Sequence, residues 1–165
     1  MKKRDSSKRY GVEPGYMSAL KRAAALCSRQ EQSVGHIRAK LEEWGVSDGD
    51  AEKILQKLKE DKFLDDERFA TYYVKDKFRL NQWGKVKIAY MLRQKGIKEN
   101  IILSALDQID DKAYLETCVN LIRIKSSSLN EKNHFTRKGK LFRFATGRGF
   151  ESDTINRALH IVSRE

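Results

Sequence analysis

Apolar residues recur three and four positions apart along most of the chain, and three times that stripe meets a glycine followed at once by another apolar residue. The pattern reads Leu41, Gly45, Val46, Ala51, then Leu92, Gly96, Ile97, Ile102, then Ala145, Gly149, Phe150, Ile155. The glycines stand about 51 and then about 53 residues apart, the period of one supersecondary unit copied along a chain. A glycine just past a helix takes the left-handed conformation without a Cβ penalty, and the apolar residue after it folds back onto the last turn. Val46 then meets Leu41, Ile97 meets Leu92 and Phe150 meets Ala145.

Ile37, Ile88 and Leu141 lie one turn upstream of these corners, and Leu55, Leu106 and Leu159 continue the stripe downstream. That spacing predicts an amphipathic helix on each side of every corner. Alternating runs of the strand type are missing, and the only proline is Pro14. A further helix precedes each pair. Its start is clearest at Leu64-Asp65-Asp66-Glu67-Arg68-Phe69-Ala70, with Asp65 at the N-cap and Leu64 and Phe69 in the staple positions. Ile109-Asp110-Asp111-Lys112-Ala113-Tyr114 repeats it, with Tyr114 in the place of Phe69.

The expected fold is all-α, with three tandem three-helix repeats over residues 16–61, 62–109 and 110–165. Modules this small must lean on their neighbours, so an elongated, curved array is anticipated. Residues 1–15, rich in Lys and Arg, read as a disordered basic arm, and Ser126-Ser127-Ser128-Leu129-Asn130 as a loop.

Charge narrows the partner. The net charge is +11, yet residues 31–66 are acidic, at −4, while 67–109 carry +5 and 110–165 carry +4. A polyanion suits the second and third repeats. Recognition by a helix-turn-helix is disfavoured, because Asp48, Asp50 and Glu52 occupy the third helix of the first repeat and residues 98–106 are largely apolar.

Candidate chemistry adds little. Cys27 and Cys118 fall on apolar faces of first helices and read as buried free thiols. His36, His134 and His160 show no metal-ligand spacing, so no metal or cofactor is assigned. Asp65, Asp66 and Glu67 are explained by a helix start rather than by acid-base catalysis, and no phosphate loop or nucleophile elbow is present. The chain is read as a non-enzyme. It has no stretch apolar enough for a bilayer and no signal peptide, which predicts a cytoplasmic protein.

The run Leu64 to Ala70, Gly84 with Ile88 and Leu92, Lys95-Gly96-Ile97, Lys140-Leu141 and Arg148-Gly149-Phe150 together resemble the bacterial RecX regulatory proteins over about residues 18–163. The chain departs from the family's more frequent pattern at Ser33-Val34-Gly35-His36-Ile37 and Gln82-Trp83-Gly84. The resemblance implies a protein that binds RecA filaments on single-stranded DNA and restrains strand exchange, ATP hydrolysis and the SOS coprotease activity, and the chain is read as a monomer. Single-stranded and double-stranded DNA are the accompanying partners. On that basis Arg79, Lys85, Lys87, Arg93 and Lys95 are the first candidate contacts, followed by Lys138, Lys140, Arg143 and Arg148. Trp44 and Trp83 are read as packing within their own repeats rather than as interface anchors. The alternative is a non-specific nucleic-acid-binding helical protein without a RecA partner.

Overall fold

The computed structural model describes residues 15–165, and the basic arm, apart from Gly15, lies outside the described residues. Among the described residues the chain forms helices and no strand. The first three are α1 (Tyr16–Arg29), α2 (Val34–Glu43) and α3 (Asp48–Glu60). The second trio is α4 (Asp66–Arg79), α5 (Lys85–Gln94) and α6 (Glu99–Leu106), and the third is α7 (Asp111–Ser128), α8 (His134–Gly147) and α9 (Ser152–Val162).

All three glycine corners form as their spacing predicts. Gly45, Gly96 and Gly149 have φ of 76°, 75° and 93°. The following amides reach back to the last turn, Val46 N–H to Leu41 O at 3.0 Å, Ile97 to Leu92 at 3.1 Å and Phe150 to Ala145 at 3.2 Å. These bonds satisfy carbonyls that the helix end would otherwise leave open. Helix starts follow the same economy, since Ser33 caps α2 through His36 N–H, Asp110 caps α7 through Ala113 N–H and Asn133 caps α8 through Thr136 N–H.

The loop expected over 126–130 holds at Leu129 and Asn130, but the serine run departs from it. It forms the last turn of α7, where Ser127 Oγ donates to Arg123 O and Ser128 Oγ to Lys125 O. Arg137 adds an anchor from α8, donating to Ser126 O at 2.6 Å and Ser126 Oγ at 2.7 Å. Serine competes with the backbone for hydrogen bonds in general, but here its hydroxyls return to the helix's own carbonyls, so the turn persists.

The described chain divides at residues 65 and 66 into two compact units. In the first, α1 packs on α2 and α3 around Ala19, Ala23, Ile37, Leu41, Ile54 and Leu55. The alanines let the α1 backbone approach its partners closely. The second unit joins both remaining trios around one core that includes Val74, Ile88, Leu92, Ile102, Cys118, Ile122 and Ile155. Cys118 is fully buried as expected, whereas Cys27 is only half-buried, and neither is in a disulfide.

The second and third repeats dock through glycine. Gly84 occupies the N-cap of α5, where Ser33 and Asn133 stand in the other repeats, and it offers no capping side chain. Instead Gly84 N–H donates to Arg148 O at 2.8 Å, Val86 N–H to Gly149 O at 3.0 Å and Lys85 N–H to the Tyr114 hydroxyl at 2.8 Å. The third repeat therefore supplies the cap that α5 lacks. A Cβ on Gly84 would overlap the Gly149 carbonyl, and one on Gly149 would lie 2.7 Å from Lys87 N, so the closeness itself requires both glycines.

Tyr114 completes the joint. Its ring packs between Phe78 and Phe150, with centroids 5.8 and 5.1 Å away. Its hydroxyl also donates to Glu151 at 2.5 Å, and burial followed by that carboxylate pushes the phenol far above its ordinary range.

Candidate functional site

Helical spacing in the second repeat builds a row in which lysines alternate with aromatic rings. Tyr73 and Lys77 lie one turn apart on α4, and the chain then turns through Gln82, whose φ is 53°, to bring Trp83 alongside. Lys77 Nζ stands 5.4 Å from the Tyr73 ring centroid and 5.2 Å from that of Trp83. Lys87, one turn after Trp83, places its ammonium 4.4 Å from the Trp83 ring centroid, and Lys95 closes the series 5.7 Å from Tyr73. The order is Lys95, Tyr73, Lys77, Trp83, Lys87.

Each ring face attracts the ammonium above it, an interaction of roughly 0.5–1 kcal/mol where the site stays exposed. The rings thus hold flexible lysines in place without neutralising them. Among the described residues no carboxylate pairs with Lys77, Lys87 or Lys95, so three positive charges stand together without a protein counter-charge. Trp83 packs half-buried against the core that the second and third repeats share, and two of these ammonium groups lie over it. Trp44 likewise packs against the first-unit core, with the Arg22 guanidinium 3.9 Å from its centroid.

The nine candidate cations separate into two groups by what already holds them. Arg93 donates twice to Glu99, at 2.8 and 2.6 Å, which raises the arginine pKa and lowers that of the carboxylate. Lys140 pairs with Glu131 at 2.8 Å. Lys85 lies 3.6 Å from Asp111 and 4.8 Å from the Tyr114 ring, and Arg148 donates to Asn81 O and, at 3.5 Å, to Gln82 O. Lys85 and Arg148 thus belong to the joint between repeats. Arg79, Lys138 and Arg143 are exposed and Lys87 and Lys95 belong to the aromatic row.

No group of three metal-binding side chains occurs among the described residues, and no described helix is long and apolar enough to cross a membrane. The carboxylates of Asp65, Asp66 and Glu67 stand at the start of α4, where acidic groups complement the helix dipole.

Comparison with known proteins decides the family. A family model described as RecX, second three-helix domain, matches residues 65–106, and one described as RecX, third three-helix domain, matches residues 112–159. Regulatory protein RecX of Prosthecochloris aestuarii is 36% identical over 141 residues, covering 86% of this chain and 91% of its own length. The chain belongs to the RecX family. Regulatory protein RecX of Clostridium acetobutylicum is 31% identical over 157 residues, which cover 93% of this chain and 72% of that one. A crystal structure of RecX from Lactobacillus salivarius superposes with a TM-score of 0.85 at 21% identity, covering 91% of this chain and 97% of that one, and so shares the fold. A crystal structure of a regulatory protein RecX gives a TM-score of 0.81 at 27% identity over 91% of this chain and 73% of its own.

Within this RecX fold the match over 65–106 spans α4 to α6 and therefore contains the whole aromatic row. Sequence reading found Lys87 and Lys95 but passed over Tyr73 and left Lys77 out of the candidate site. The signal was present as two pairs four residues apart, Tyr73 with Lys77 and Trp83 with Lys87.

Proposed function

We propose that this RecX-family protein binds RecA nucleoprotein filaments and lowers their recombinase, ATPase and SOS coprotease activities, acting as a cytoplasmic monomer without catalysis of its own. The observation that carries the reading at residue level is the row Lys95, Tyr73, Lys77, Trp83, Lys87, in which three ammonium groups without a carboxylate partner lie over two aromatic rings. A filament presents phosphates at regular intervals, and lysines held in advance lose less freedom on meeting them than lysines free in water. Exposed Arg79, Lys138 and Arg143 extend the same complementarity, while Lys85, Arg93, Lys140 and Arg148 serve chiefly to shape their repeats.

The test is RecA-dependent ATP hydrolysis on single-stranded DNA with and without the purified protein. Inhibition at a protein concentration well below that of RecA is expected. Replacing Lys77, Lys87 and Lys95 together by Glu should reduce potency at least about tenfold, since reversing three phosphate contacts removes a large electrostatic share of binding. An unchanged hydrolysis rate across the accessible range overturns the filament reading. DNA affinity that falls steeply with salt, together with an indifferent RecA, would instead establish the plain nucleic-acid binder.

A further inference from the structure

The third repeat contains a cleft of about 470 Å³ between α8 and α9, lined at one end by Ser126 of α7. Positions 134, 138 and 141 recur at helical spacing along α8, and positions 156, 159 and 160 do so along α9 with Ser163 at its C-cap, so the cleft is the trough between two helix faces. Leu141, Leu159 and Val162 give it an apolar floor. His134, Lys138 and His160 stand on its exposed rim with Asn156. Among the described residues that line it, none is a carboxylate.

Arg137, Glu131 and Glu165 are already committed. Arg137 is held by Ser126, by Leu129 O at 3.0 Å and by Glu131 O at 3.3 Å, so it stiffens the wall and adds positive potential. Glu131 pairs with Lys140 and Glu165 with Arg123, which keeps both acids from neutralising Lys138. The cleft therefore combines an apolar floor, a rim of one lysine and two histidines, and one amide able both to donate and to accept.

We propose that this cleft binds a nucleotide. The phosphate lies against Lys138, His134 and His160, the flat face of the base or sugar covers Leu141, Leu159 and Val162, and the Asn156 amide meets the base edge. A bare inorganic anion would leave the floor unused, and the volume falls within the roughly 300–1,000 Å³ typical of small-ligand sites. The nucleotide can come from free solution or from the phosphorylated end of a DNA strand. This inference does not rest on the filament reading.

Isothermal titration and nitrogen-15 NMR of the full chain with AMP, ATP, pyrophosphate and short oligonucleotides bearing a 5′-phosphate or a 5′-hydroxyl test the proposal. Saturable one-to-one binding is expected, with shifts at His134, Asn156 and His160, and a loss of at least tenfold in affinity on combining Lys138→Gln with His160→Gln. Binding of AMP or ATP identifies a free nucleotide, whereas binding of the 5′-phosphorylated oligonucleotide alone identifies a strand end. Failure of every nucleotide to saturate at millimolar concentration overturns the assignment, as does pyrophosphate binding as tightly as AMP. Should the double variant lose its helical circular dichroism, Asn156→Leu at an exposed position serves instead, and unchanged affinity there for every base refutes the base-edge contact.

Discussion

Gly84→Ala isolates the joint between the second and third repeats, because φ at Gly84 is −75° and alanine accepts that conformation without strain. On backbone entropy alone the substitution would stabilise by about 0.4–1 kcal/mol. The new methyl group, however, would occupy the space of the Gly149 carbonyl, which is main chain and cannot swing aside. Ordinary carbon contacts need about 3.5–4 Å, so the two backbones must part by on the order of 1 Å. That separation breaks or stretches the bonds from Gly84 N–H to Arg148 O and from Val86 N–H to Gly149 O. Each is worth about 0.5–1.5 kcal/mol, and overpacking adds about 1–3, so after the entropic gain the net loss is roughly 1–5 kcal/mol. Urea unfolding followed by circular dichroism reads the stability, and hydrogen exchange at positions 84 and 86 reads the joint itself. Stability within about 0.5 kcal/mol of the parent, with both amides equally protected, would refute the account of this contact.

Gly139→Ala supplies the opposite sign, since a Cβ there meets nothing within 4 Å inside α8, and a gain of about 0.5–1 kcal/mol in urea unfolding is expected. Tyr114→Phe keeps the aromatic contacts but removes the partner of both Lys85 N–H and Glu151, so a loss of about 1–3 kcal/mol is expected by the same measurement. Cys118 is fully buried and its thiol is pushed up to about 12 by desolvation first and by Glu151 second. A thiol reagent at pH 8 should therefore label half-buried Cys27 first and Cys118 on the order of 10³-fold more slowly, with peptide mapping as the check.

The parts legible in the sequence were those fixed within one or two helical turns. Gly45, Gly96 and Gly149 announced their corners because only glycine takes that conformation cheaply, and Asp110 announced the start of α7. The serine run misled because its usual preference for loops was overridden by Arg137, eleven residues beyond Ser126. The nine candidate cations follow from the family resemblance and the basic stretches it covers, and neither distinguishes Lys87 over a tryptophan from Arg93 locked to Glu99. The cleft between α8 and α9 depends on how two helix faces meet, and no single stretch of sequence contains it.

One position shows how a repeated pattern can yield repeats that behave differently. Ser33, Gly84 and Asn133 stand at the same place, the cap of the second helix in each trio. Serine and asparagine close their own helix, which makes that end self-sufficient. Glycine leaves the amides of α5 open and presents no side chain, and both consequences are needed before Arg148 O and Gly149 O can approach as acceptors. Docking then draws Lys85 toward Tyr114 and Asp111, while Lys87, half a turn further along α5, is left beside Trp83. A missing cap thus joins two repeats into one core and, by the same rotation of the helix, decides which of two neighbouring lysines is spent on the joint and which remains available to an anion.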